Sequence, residues 1–221
     1  MNVNAAAEVL QNQTLAPSLK ILLILSLLGV LPAIILATTS FVRIVVVLSF
    51  IRQGVGTAQS PPSQVLIGLA LFLTAFTMSP VVKEMKHVAY EPYAAGSIGD
   101  LEALQRASVP LKAFMLRQTR EADLRLFYDA THTALPATPD DVGLELAVPA
   151  FVISELTTAF QMGVVILLPF LIVDLAVSSL LMSMGMMMVP PTTLALPIKL
   201  LLFVLVDGWN LVCGSLLRSY A

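Results

Sequence analysis

Four long apolar blocks leave this chain few folds to choose from. They cover residues 19–51, 64–82, 144–188 and 194–217. About 20 apolar residues in a helix are enough to cross the hydrocarbon of a bilayer. The second block is one such length. The first is longer and carries its own interruptions at Pro32, at Thr38-Thr39-Ser40 and at Arg43. The third is about twice a span and contains Pro169 and Asp174, so it reads either as one long kinked helix or as two helices. No alternating strand pattern competes anywhere. The expected fold is therefore all-α, a membrane-associated set of bent helical hairpins, in a single domain over 1–221.

Between the second and third blocks the chemistry changes. Residues 83–143 hold most of the charge, with both signs mixed as on a solvated surface. Leu111, Phe114, Met115, Gln118, Ala122, Arg125 and Leu126 nearly follow a helical period, which predicts one amphipathic helix over 108–130, ended by Pro136 and Pro139. This is a polar, mostly helical middle region outside the hydrocarbon. Arg43 and Arg52 lie in or beside the first short connection and favour a cytoplasmic position for it. The middle region is then expected on the opposite side.

Composition excludes several classes of function. The chain is 57% hydrophobic and 12% charged, with a mean hydropathy of +0.90. A net charge of -2 without a basic run gives no nucleic-acid footprint. The one cysteine, Cys213, excludes an internal disulfide and a multi-cysteine metal site, and reads as a small packed hydrophobe. His87 and His132 are far apart and outside any HExxH arrangement, and no GxSxG is present. Gly54-Val55-Gly56 lacks the GK[ST] element of a phosphate loop and reads as a turn before Pro61-Pro62. No catalytic role, metal or cofactor is expected. The opening residues have no basic stretch followed by an apolar one, so the expectation is insertion by the first apolar block or prior removal of a signal.

Five charges stand inside the apolar blocks: Arg43, Glu155, Asp174, Lys199 and Asp207. A charge at a bilayer centre costs at least about 2.5–3.5 kcal/mol, so each needs a partner or water. Lys199 and Asp207 are separated by about 12 Å of helix rise and about 80° of rotation, too far to bond within one helix. Their partners are expected on another helix or another chain. Three roles remain open: fixing helix register in an assembly, lining a wet passage, or relaying protons. Pro32, Pro169 and Pro197 each remove a backbone donor inside a block. This fits packing kinks as well as broken helices beside a cavity.

The segment MSMGMMMVPP, residues 182–191, joins the third and fourth blocks. Gly185 and the pair Pro190-Pro191 oppose its extension as a helix. Methionine is unbranched, flexible and polarizable. Met184, Met186, Met187 and Met188 could fill an irregular core, or could close a passage as a deformable seal.

Two stretches, 31–82 and 148–211, resemble the FliP family, called SctR in virulence systems. The resemblance is dense and includes AFVISEL, LPFLIVDL, MGMMM with the following double proline, and the VDGW at Val206–Trp209. It implies a non-enzymatic subunit of a type III secretion export gate, with about five copies in a closed helical ring. It further implies FliQ-like and FliR-like partners, contact with FlhA- and FlhB-like export components, unfolded protein substrates, and a place in the bacterial inner membrane at the flagellar basal body. By position, it implies a gasket role for Met184, Met186, Met187 and Met188, and partners across subunits for the intramembrane charges. The core would be held largely above the membrane plane. The flagellar branch resembles this sequence more than the injectisome branch does; a stand-alone ion-coupled carrier using Asp174, Lys199 and Asp207 is the rival from another class.

Overall fold

A computed structural model of the chain describes residues 17–57, 60–133, 136, 138, 141–186 and 188–220. Those residues are all-α. Helix α1 (Pro17–Ala37) runs through Pro32 and meets α2 (Phe41–Val55) at a bend of 71°. Thr38, Thr39 and Ser40 make the bend. The Thr38 hydroxyl donates to the Ile34 and Ile35 carbonyls, at 3.0 and 3.2 Å, and the Thr39 hydroxyl to Leu36 at 3.0 Å. The Thr38 hydroxyl thus meets the Ile35 carbonyl, while the Ile34 and Leu36 carbonyls, which already accept the Thr38 and Thr39 N–H groups, gain a second donor.

Helix α3 (Ser63–Met85) continues past the second apolar block. It passes through a π turn at Lys86–Tyr90 into the short α4 (Glu91–Ala94), making one continuous rod with α3. Pro92 has no N–H to give to a carbonyl four residues back, and the wider turn precedes it. The polar region then folds as α5 (Asp100–Gln118) and α6 (Glu121–Ala130). The single helix expected over 108–130 is therefore two, broken at Thr119 and Arg120. Periodicity continues across the break, but Arg120 takes an extended conformation held from outside the helix, as described below. Pro136 lies beyond α6; Pro139 lies outside the described residues.

The third apolar block settles the choice between one helix and two. Helix α7 (Leu144–Ser183) is unbroken through Pro149 and Pro169. Its 40 residues make about 60 Å of rod. Helix α8 (Pro191–Leu205) returns alongside it and bends by 61° into α9 (Gly208–Arg218). Asp207 makes that bend with φ of 50°, a left-handed conformation that Asp tolerates better than bulky residues. Two rods, Ser63–Ala94 and Leu144–Ser183, are long and apolar enough to cross a membrane, and up to four spans result if each bent pair counts as one.

The core is the contact of α2 with α7. Ile44, Val47, Leu48 and Ile51 line the face of α2 and are almost wholly buried. Full burial of such a side chain is worth about 1.5–3 kcal/mol. Helix α7 meets them with Ala159 and presents Gly163 to Phe50 of α2. Small side chains let the backbones approach closely. At Gly163 the fit is closest: a Cβ there would fall 2.2 Å from the Phe50 ring, which also packs edge-on to Phe160 at 5.2 Å. A second cluster, Met78, Val81, Phe114, Met115 and Phe151, fastens α3 and α5 to the start of α7. Phe170 and Phe203 with Trp209 connect α7, α8 and α9.

This packing makes a direct prediction. Gly163→Ala drives a methyl into the Phe50 ring and lowers stability by about 1–3 kcal/mol, the usual range for overpacking. Gly68→Ala, where a Cβ meets nothing within 4 Å, leaves stability unchanged or slightly higher. Thermal unfolding of the isolated chain in detergent checks both; equal melting temperatures for the two variants would contradict the close α2–α7 contact.

Candidate functional site

The methionine segment is the tip of the α7–α8 hairpin. Its geometry follows from Gly185, with φ of 72°. The Gly185 N–H donates to the Met182 carbonyl at 3.0 Å, and the Met186 N–H to the Leu181 carbonyl at 3.0 Å. This pair of bonds is the Schellman arrangement, which closes a helix and turns the chain away from its axis. On the far side Pro190 is extended and Pro191 opens α8, where a missing N–H costs nothing. Met184, Met186 and Met188 are exposed, Met188 at 98%. Met187 lies outside the described residues. None of the three described methionines fills a core in the single chain.

Below the tip the hairpin is fastened twice. Val177 and Leu181 of α7 close on Ala195 of α8, with Val173 packed against them. Further down, the Lys199 ammonium donates to Asp174 Oδ2 at 2.6 Å. The Lys199 side chain is 8% exposed and that of Asp174 is 35% exposed. The ammonium also lies beside Gly56 at the C-terminal end of α2, where the helix dipole favours a cation. The tip is thus an exposed, apolar cap on a stem held by packing and an ion pair.

Arg43 and Glu155 form a second charged pair, in the heart of the α2–α7 contact. Their exposures are 3% and 0%. Arg43 Nε donates to Glu155 Oε2 at 3.1 Å, and Nη2 donates to Oε1 of the same carboxylate. The remaining guanidinium donors are used as well. Nη1 reaches the Ser219 carbonyl at 3.3 Å and its hydroxyl at 3.0 Å, and Nη2 reaches Gln118 Oε1 at 3.2 Å. The Tyr220 hydroxyl donates to Glu155 Oε2, and its ring lies 4.1 Å from the guanidinium carbon. A buried pair is favourable only when its further donors and acceptors are met in this way.

Both pairs, Arg43 with Glu155 and Lys199 with Asp174, are made within one chain. Partners on another helix are what the residues themselves called for: the α2–α7 and α7–α8 contacts bring together residues that are far apart in sequence. Asp207 joins neither pair. It is exposed at the α8–α9 bend and accepts from Asn210 Nδ2 at 3.1 Å. The five charges therefore occupy separate places and do not form one site. Among the described residues no group of His, Cys, Asp and Glu is arranged to hold a metal ion.

Sequence reading missed the polar residues that complete these pairs. Gln118, Ser219 and Tyr220 lie outside the apolar blocks, or on the periphery of the amphipathic pattern, and nothing in their spacing pairs them with Arg43. It also missed the joint at the α5–α6 break. There the Arg120 N–H donates to Ser154 Oγ of α7 at 3.0 Å, and the Ser154 hydroxyl donates to Asp123 Oδ2 at 2.6 Å. Arg120 grips the same carboxylate with Nε and Nη2, at 2.7 and 2.9 Å. The bonds from Arg120 hold the Asp123 carboxyl below its usual value, aided by Ser154 and opposed by burial. A serine in an otherwise apolar block was the available signal.

Two outcomes follow. Arg43→Ala leaves a wholly buried carboxylate without its cation and costs about 3–5 kcal/mol. Lys199→Ala costs less, about 1–3 kcal/mol, because the Asp174 side chain is only partly buried whereas that of Glu155 is wholly buried. Denaturation of the two variants in detergent gives the order, and the reverse order would overturn the burial argument. Asp123 adds stability above the ordinary carboxylate value near 3.8, and that stability disappears as pH falls through its lowered value. The protection of α6 against hydrogen exchange, relative to the intrinsic rate at each pH, should therefore fall in acid in the parent chain, while Asp123→Asn is weakly protected at every pH. A variant as protected as the parent at neutral pH would remove Asp123 from the joint.

The sequence has counterparts in known proteins. The FliP family model matches residues 24–216. The flagellar biosynthetic protein FliP of Pectobacterium carotovorum subsp. carotovorum is 51% identical over 203 residues, covering 92% of this chain and 79% of the relative. The FliP of Bacillus subtilis (strain 168) is 49% identical over 208 residues, covering 94% of each. That of Aquifex aeolicus (strain VF5) is 44% identical, covering 93% of this chain and 87% of the relative. With the family model spanning residues 24–216 and these relatives 44–51% identical over most of its length, this chain belongs to the FliP family.

Proposed function

We propose that the chain is a pore-forming subunit of the flagellar type III protein export gate. Several copies, about five, surround a passage that admits unfolded flagellar proteins, and their methionine tips close it. FliQ-like and FliR-like subunits complete the ring, and FlhA- and FlhB-like components act beside it, in the bacterial inner membrane at the flagellar basal body. The FliP family is not an enzyme family, and energy for transport comes from other components.

One observation carries this reading: an apolar, exposed methionine tip on a stem fixed by packing and by an ion pair. Methionine re-packs around irregular shapes because its side chain has three rotatable bonds and a soft sulfur. A hydrophobic constriction also resists water and ions. One tip is too small to close a passage, whereas a ring of tips supplies a seal that yields to varied passing chains. The relatives carry flagellar names, which favours the flagellar over the injectisome branch. A stand-alone carrier fares worse, since Asp174 and Lys199 neutralise each other and Asp207 sits elsewhere.

Deleting Met186–Met188 tests the seal. Assembly should persist, because the stem contacts lie below the deletion, while the membrane becomes leaky to ions. Complex mass after mild solubilisation reports assembly, and membrane conductance reports the leak. An intact complex with unchanged conductance would refute the gasket; a lone monomer from the unaltered chain under the same conditions would refute the gate.

A further inference from the structure

Helices α3, α2 and α7 form one layer. Phe50 of α2 lies against Gly163 of α7, and Gly54 lies against Leu167 and Phe170. Arg52 reaches the other way, donating from Nη1 to Ser63 Oγ of α3 at 2.7 Å. It stands about 200° around the axis from both Phe50 and Gly54, so α3 and α7 flank α2 on opposite sides.

The two ends of this layer carry unmet polar groups. On α7, Gln161 and Val165 each stand about 200° from Gly163, on the side away from α2. They line an open groove of about 330 Å³ whose other wall includes Leu211 and Ser215 of α9. The Gln161 carboxamide has no hydrogen-bond partner among the described residues. Pro169 has no N–H for the Val165 carbonyl four residues back. On α3, Leu66 and Ala70 are buried toward the core, and Gln64, Gly68 and Phe72 stand on the reverse side. Gln64 is exposed and also has no partner among the described residues. A Cβ at Gly68 would meet nothing within 4 Å, so no contact inside the chain requires this helix-weakening residue.

The two ends also match in height. Ser40 against Thr77 and Arg52 against Ser63 set the height of α3; Arg43 against Glu155 and Phe50 against Gly163 set that of α7. On this scale Gln64 is level with Val165 and about one helical turn from Gln161. Water is a poor occupant here, because the exposed neighbours Phe72, Val165 and Leu211 are apolar. Lipid covers apolar side chains but bonds neither an amide nor a carbonyl. A helix with its own amide, and a small residue one turn along to let backbones approach, meets both needs.

We propose that copies of this chain join head to tail, the Gln64–Gly68–Phe72 stripe of one seated in the α7–α9 groove of the next. The Gln64 amide then bonds Gln161 and the Val165 carbonyl of the neighbouring copy. Because the two surfaces differ, the contact repeats in one direction and closes as a ring or winds as a helix. The inference rests on the several-copy reading above and specifies which faces make the contact.

Cross-linking in membranes tests it. Cys213→Ser removes the native thiol, and Gln64→Cys and Gln161→Cys are introduced singly and together in the full chain. A short bismaleimide should convert the double variant into a ladder of dimers and larger species. Each single variant alone should give none, and the two single variants coexpressed should give a dimer and nothing larger. Dimers from either single variant, or linkage of position 161 only to a different protein, overturn the head-to-tail contact. So does a double variant that stays unlinked while its complex has the mass of several copies; a monomer mass for the unaltered chain overturns the several-copy reading as well. Gly68→Leu gives a separate readout. Yield of assembled complex should fall about tenfold or more, while the melting temperature of the isolated chain in detergent stays at the parent value, because the new side chain meets open space. Unchanged yield places the interface elsewhere and overturns the proposal.

Discussion

The buried pair of Arg43 and Glu155 is the interaction on which the rest of the structure depends. Removing two charges from water costs several kcal/mol for each, and their mutual attraction offsets this only if the geometry is good. Here the guanidinium finds further acceptors on Ser219 and Gln118 and the carboxylate gains a tyrosine hydroxyl. Those satisfactions fix α2, α7, the end of α5 and the segment after α9 relative to one another. An apolar core tolerates sliding of one helix along another, whereas a charge with directed partners does not. The pair therefore sets register for the whole body.

Register at that point determines the position of the methionine tip. From Glu155 to Ser183 the rod of α7 continues for about 42 Å without a break. A rod fixed at one end by directed bonds, and packed along its length by Phe170, Phe203 and Val177, carries its far end to a defined place. The Lys199–Asp174 contact repeats the device nearer the tip. Rigidity in the stem and softness in the tip are complementary: a seal that must deform needs side chains that move on a backbone that does not. The same rod is joined to the polar region by Ser154, which holds Arg120 and Asp123 at the α5–α6 break. One helix thus connects the polar helices to the tip.

Much of this was legible in the sequence. Apolar blocks with no alternating pattern specify helices, and their lengths separated them from the charged middle. The Gly185 and Pro190-Pro191 positions marked the tip as a turn, because each removes a property a continuing helix needs. The charged residues were visible as expensive in their surroundings. Their pairing was not, because Arg43 and Glu155 are separated by 112 positions and no local period relates them. The break at Thr119 was hidden for the same reason: the bonds that hold Arg120 extended come from Ser154 on another helix. Prolines were ambiguous in sequence, since Pro32, Pro149 and Pro169 lie within helices that continue.

The sequence by itself determined helices, the polar middle and a methionine turn between two apolar segments, because periodicity, length and the backbone limits of glycine and proline are local properties. Only the tertiary structure decided that the third block is one rod and that the four buried or half-buried charges pair within the chain. Each of these depends on which surfaces meet, and contact between distant segments is set by shape and directed polar bonds that no local pattern encodes.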